Sequence, residues 1–250
     1  STQISLQTLG KRALIQCSGV ASSTTLYYTG SATSTIINWG GGNVLGQDHE
    51  FGAGIDGCTI RGNDGAFSTS VGVQVGGTQG AEGTRITHTR VTNFSKGLTI
   101  GNNTWLTHVE GSEFDNSQRN LVWEGVTNAG ESLNFVDTVF HDNWSASTTN
   151  HYYQCVDLSK GNLASFVMVG GALDDCQLYV GPAATVSLIG THLENPAGDG
   201  AGNQYIPIYL TASQYTSLNL QSVVWIQGAS TYKPPYFLYN GGNTTITGFQ

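Results

Sequence analysis

Five carboxylates are placed for chemistry: Asp115, Glu124, Asp142, Asp157 and Asp174. Two carboxyl groups flanking one bond can serve as general acid and as base or nucleophile, the apparatus that breaks a glycosidic bond. Their separation sets the outcome, about 5–5.5 Å for a retaining hydrolase and about 6.5–9.5 Å for an inverting one. A lone carboxylate is as readily a corner or surface group, so each needs a partner across the fold.

Aromatic and basic residues accompany them. Trp144, His151, Tyr152 and Tyr153 share one polar stretch, and Tyr205 and Tyr232 lie in two others. With Tyr179 and Tyr209 they are candidates to hold substrate, because aromatic faces suit the apolar faces of sugar rings. They would serve equally well as staples between loop and body. Lys96 and Arg119, near Thr92, Asn116 and Gln118, either pair with an acidic glycan or neutralise neighbouring carboxylates. Lyase chemistry needs a base and a cation to neutralise a uronate; nine basic residues and no calcium loop rank it below hydrolysis. The six histidines show no HExxH-type spacing, so neither a metal site nor a cofactor is expected. His141 and His151, which flank the aromatic stretch, are the two to test.

What must position these groups is a repeat. An apolar residue is followed five positions later by another at Ile55/Ile60, Ile86/Val91, Val109/Phe114, Phe135/Phe140, Met168/Leu173, Leu188/Leu193 and Leu220/Trp225. On one strand, residues five apart face opposite sides, so both face a core only if the backbone turns between them. An apolar–x–apolar motif follows each couple: Val73/Val75, Leu98/Ile100, Leu121/Trp123, Val156/Leu158, Leu178/Val180, Ile208/Leu210 and, less cleanly, Tyr236/Leu238. Length varies at one corner, in residues 61–72, 141–155, 194–207 and 226–235. Insertions confined to one side of a solenoid mark its binding side. Asn93, Asn116, Asp142, Asp175 and Asn195 each fall two residues past the second anchor, where a left-handed corner suits Asn and Asp. These patterns predict an all-β chain, a right-handed parallel β-helix of about seven or more coils with three strands per coil. A β-sandwich would show hairpin turns instead.

Composition agrees. The 250 residues include 34 glycines and only 10% charged residues, with few clusters of strong helix formers. The net charge of −8 with no Lys/Arg cluster argues against nucleic acid as a partner. No apolar run reaches the roughly 18 residues of a membrane span, so no membrane insertion is expected. Residues 1–50 read as lead-in coils or a cap, 51–250 as the repeat, and the whole as one domain cut from a longer chain. The run after Trp39 lacks the Lys-Ser/Thr of a phosphate loop. Cys17, Cys58, Cys155 and Cys176 lack CxxC spacing and are expected as reduced thiols inside the core, suiting synthesis in a reducing cytosol.

The stretches DGCTIRGN (56–63), RITHTRVTNFSKGLTIGN (85–102), LTHVEGSEFDNSQRNLVWEG (106–125), ESLNFVDTVFHDN (131–143) and SLIGTHLENP (187–196) resemble those of bacteriophage tailspikes and their pectate-lyase-like relatives. The likeness is one of repeat style and covers most of residues 50–250. It implies a homotrimer on the virion tail, made in the host cytoplasm and acting outside it. Its implied partner is bacterial surface polysaccharide, capsule or O-antigen, bound and often cleaved. The alternatives are a non-catalytic receptor-binding or structural spike, a lyase, and a secreted monomeric pectinase or epimerase.

Overall fold

Each hydrophobic couple occupies two short strands joined by a bend. Ile86 and Val91 centre Arg85–Thr87 and Arg90–Thr92, and His88 between them takes a positive φ of 47°. In this computed structural model the described residues are 4–5, 14–17, 24–28, 35–39, 50–51, 53–63, 69–77, 80–127, 129–141, 155–160, 165–181, 184–194, 206–211, 216–226, 237–241 and 244–248. Among them the chain is all-β, with no helix and none long and apolar enough to cross a membrane.

Neighbouring strands run parallel in four sheets. Sheet A runs from Ile4–Ser5 to Leu238–Asn240, sheet B from Leu14–Gln16 to Thr244–Thr247, and sheet C from Thr25–Tyr27 to Val224–Ile226. The chain visits B, then C, then A, and repeats that order. The first members of the couples are register partners along sheet B: Ile55, Ile86, Val109, Phe135, Met168, Leu188 and Leu220. The second members, Ile60, Val91, Phe114, Phe140, Leu173, Leu193 and Trp225, align along sheet C. Val73, Leu98, Leu121, Val156, Leu178 and Ile208 align along sheet A.

These columns are the core. Ile86, Val91, Leu98 and their partners through Leu188 are almost wholly buried. Phe114 stacks on Phe140 at 5.2 Å, and Phe135 meets Phe140 edge-on at 5.5 Å. Stacking rows at the strand spacing of about 4.8 Å buries what one circuit alone leaves exposed.

The corners follow local chemistry. Asn93, Asn116 and Asp175 have φ of 65°, 48° and 50°, the left-handed geometry expected of them. Asp142 and Asn195 lie outside the described residues. At the B-to-C bend, Gly171 has φ +65° and a Cβ there would meet the Thr138 carbonyl oxygen at 2.1 Å, so only glycine fits.

Several features depart from the sequence reading. A short fourth sheet, D, pairs Glu50–Phe51, Ala81–Glu82, Thr104–Trp105 and Ala129–Glu131 in the spacer between sheets A and B, so some circuits have four strands. The buried Ala81 and Thr104 give that spacer an inward side. Leu238, not Tyr236, is the register partner of Ile208, so the last motif begins two residues later. No departure lies in the described residues of the first fifty, expected as lead-in coils or a cap: Ile15 aligns with Ile55, Leu26 with Ile60 and Ile37 with Val73 in the same sheets. The glycine run after Trp39 lies outside the described residues.

The cysteine reading is corrected. Cys17 is bonded to Cys58 and Cys155 to Cys176, with no free cysteine. Both pairs lie 5.1 Å apart at Cα, since each joins adjacent circuits whose strands are held one spacing apart. The partners are 41 and 21 residues apart, which no local spacing rule detects. The thiol argument for a reducing compartment therefore falls away.

Candidate functional site

The central residue of each sheet C strand points inward, so its two neighbours point outward. One outward row reads Arg90, Glu113, Val139, Ala172, His192. The other reads Thr92, Asp115, His141, Asp174, Glu194. Titratable groups five circuits long thus share one face, in two clusters.

In the first, Arg90 donates from Nε to Asp115 Oδ1 at 3.2 Å and from Nη2 to Oδ2 at 2.6 Å. Its Nε also lies 3.4 Å from Glu113 Oε1, and His141 Nε2 lies 2.7 Å from that same oxygen. Asn116 Nδ2 donates to Asp115 Oδ2 at 2.8 Å. Asp115 is fully buried, and donors from the chain surround both its oxygens. A bidentate guanidinium–carboxylate pair is the strong form of ion pair, and here it fixes the corner.

In the second, His192 Nδ1 lies 3.7 Å from Asp174 Oδ1 and its Nε2 lies 3.8 Å from Glu194 Oε2. Asp174 and Glu194 are register partners on adjacent strands, and all three side chains are part-exposed. Ligating atoms of Asp174, His192 and Glu194 lie within 4.8 Å of one another, as do those of Glu113, Asp115 and His141. Either set has donors of the type that hold a divalent cation. In the first, the Arg90 guanidinium supplies the positive charge.

Sheet A bears the remaining candidates. Asp157 is outward by register yet only 2% exposed; Arg119 Nη1 donates to its Oδ2 at 2.7 Å and the Ser159 amide to its Oδ1 at 2.9 Å. Lys96, at the start of one strand, donates to Glu124, just past the end of the next. Ser95 Oγ donates to Gln118 Oε1 at 3.1 Å on the short corners between. Of the two roles open to Lys96 and Arg119, the geometry has them neutralising neighbouring carboxylates.

Beyond Asp157 the same row continues into Tyr179 and Tyr209, whose rings stack at 5.1 Å and 12°. Burial, then Tyr209, then the Asp157 carboxylate, push the Tyr179 phenol above its ordinary 10.0. Tyr179 follows Asp174 across one corner, and Tyr209 is the middle residue of the strand Ile208–Leu210, which follows the connector from Glu194.

The structure therefore brings Asp174 beside Glu194 and ties Asp115, Glu124 and Asp157 into separate ion pairs. Asp142, Trp144, His151, Tyr152 and Tyr153 lie outside the described residues, as do Tyr205 and Tyr232. The four long connectors each leave sheet C and enter sheet A, the side on which both clusters sit. Sequence reasoning missed Arg90, Glu113, His192 and Glu194. Reading the immediate neighbours of every second anchor would have found them. No family model matches the chain, and no curated protein matches it.

Proposed function

We propose that this chain is a right-handed parallel β-helix that binds a long carbohydrate across the C–A corner and cleaves it by hydrolysis. The observation that carries the reading is the Asp174–Glu194 pair, in register on adjacent strands with oxygens within 4.8 Å, set one corner from the stacked Tyr179 and Tyr209. That separation is nearest the retaining arrangement of about 5–5.5 Å. One carboxylate attacks the anomeric carbon while the other protonates the departing glycosidic oxygen. The second then takes a proton from water, which displaces the sugar from the first. The tyrosine faces offer a platform for neighbouring sugar rings.

The resemblance to tailspikes supplies the rest of the proposal: a homotrimer on a virion tail, acting on capsule or O-antigen. A binding-only spike is the second reading, favoured by the ion pairs that engage Asp115, Glu124 and Asp157. Incubation with bacterial surface polysaccharide separates the two. Hydrolysis shortens the polymer, with Asp174→Asn or Glu194→Gln slowing it about a hundredfold or more. Tight binding with no loss of polymer length gives the spike instead.

A further inference from the structure

We infer that the glycan seated here is not anionic, an inference that deepens the carbohydrate reading and rests on it. Arg90, Lys96 and Arg119 are the basic residues on the sheet A and C strands between residues 85 and 123, and each is matched to an acid of the chain: Arg90 to Asp115 and Glu113, Lys96 to Glu124, Arg119 to Asp157. None of these cations is left to meet a sugar carboxylate without breaking a pair already made.

From there the face turns acidic. The strands Val139–His141, Val156–Leu158, Ala172–Asp174, Leu178–Val180, His192–Glu194 and Ile208–Leu210 contain neither lysine nor arginine. They present the part-exposed Asp174 and Glu194, with His192 between them, while Asp157 is buried against Arg119. Of the other described bases, Arg61 lies over the Tyr27 ring at 6.0 Å, Arg85 is on the sheet B strand Arg85–Thr87, and Lys160 sits in the turn beyond the sheet A strand Val156–Leu158. A uronic or sialic acid placed over Asp174 and Glu194 would set like charges about 5 Å apart. At an effective dielectric near 20 that lowers affinity on the order of a hundredfold, and part-exposure of both carboxylates reduces the effect to about tenfold. Specificity arises by repulsion as well as attraction, and this face repels anions.

The test compares acidic capsular polysaccharides with the same polymers after chemical reduction of their carboxyl groups to hydroxymethyl, using immobilised intact protein at low salt. Neutral and amine-bearing glycans complete the panel. The inference predicts that each reduced polymer that binds does so about tenfold more tightly than its acidic parent. It also predicts that the doubly substituted Asp174→Asn, Glu194→Gln protein narrows that gap. An acidic parent held as tightly as its reduced form, or more tightly, overturns the inference while leaving carbohydrate binding intact. Retention of no glycan overturns the carbohydrate reading itself.

Discussion

Arg119 and Asp157 meet across two neighbouring strands of sheet A, Nη1 to Oδ2 at 2.7 Å, with the carboxylate side chain only 3% exposed. Removing the guanidinium leaves a buried charge without its counter-ion. Arg119→Met is therefore expected to destabilise the protein by about 3 kcal/mol. Joining it with Asp157→Asn should recover much of that loss. Urea unfolding of both variants measures the difference, and equal loss in the two would mean the pair is not what holds this corner.

The two disulfides should act as cross-circuit staples. Cys58, Cys155 and Cys176 are essentially unexposed, so native protein should resist mild reductant and alkylating agents. Replacing Cys155 and Cys176 together with serine opens a loop of 21 residues and is expected to cost about 3 kcal/mol. Mass spectrometry after alkylation, native and denatured, counts the thiols, and calorimetry reads the stability.

Phe140 touches Phe114 on one side and Phe135 on the other. Phe140→Ala removes a fully buried ring that packs against both Phe114 and Phe135 and should cost about 4 kcal/mol. Phe140→Leu keeps most of the volume and should cost less than half as much. Denaturant midpoints of the two variants check the ratio.

Tyr179 gives the account a pH signature. Its folded pKa is raised, so its contribution to stability is complete below the ordinary 10.0 and is lost as pH rises beyond it. Stability should fall more steeply above pH 10 in the wild type than in Tyr179→Phe. Phenolate absorbance should lose one component that ionises above the ordinary 10.0 in that variant.

The couples were legible because one rule, two inward residues five positions apart, repeats regardless of how long the connectors are. The left-handed corners at Asn93, Asn116 and Asp175 were legible because the chemistry is local. Cross-circuit partners were not. Asp56 faces His88, Arg119 faces Asp157 and Cys155 joins Cys176 only once connectors of unequal length are folded into register. Lys96 and Arg119 show the limit most clearly. Their charge was visible, but whether it would face a sugar or a carboxylate depended on the strand one circuit away.

A structure with a bound oligosaccharide product tests the central claim most directly. The account predicts sugar rings lying against Tyr179 and Tyr209, with an anomeric carbon between the carboxylates of Asp174 and Glu194. Sugar bound on sheet B, or at the Arg90–Asp115 cluster with Asp174 and Glu194 untouched, would contradict it.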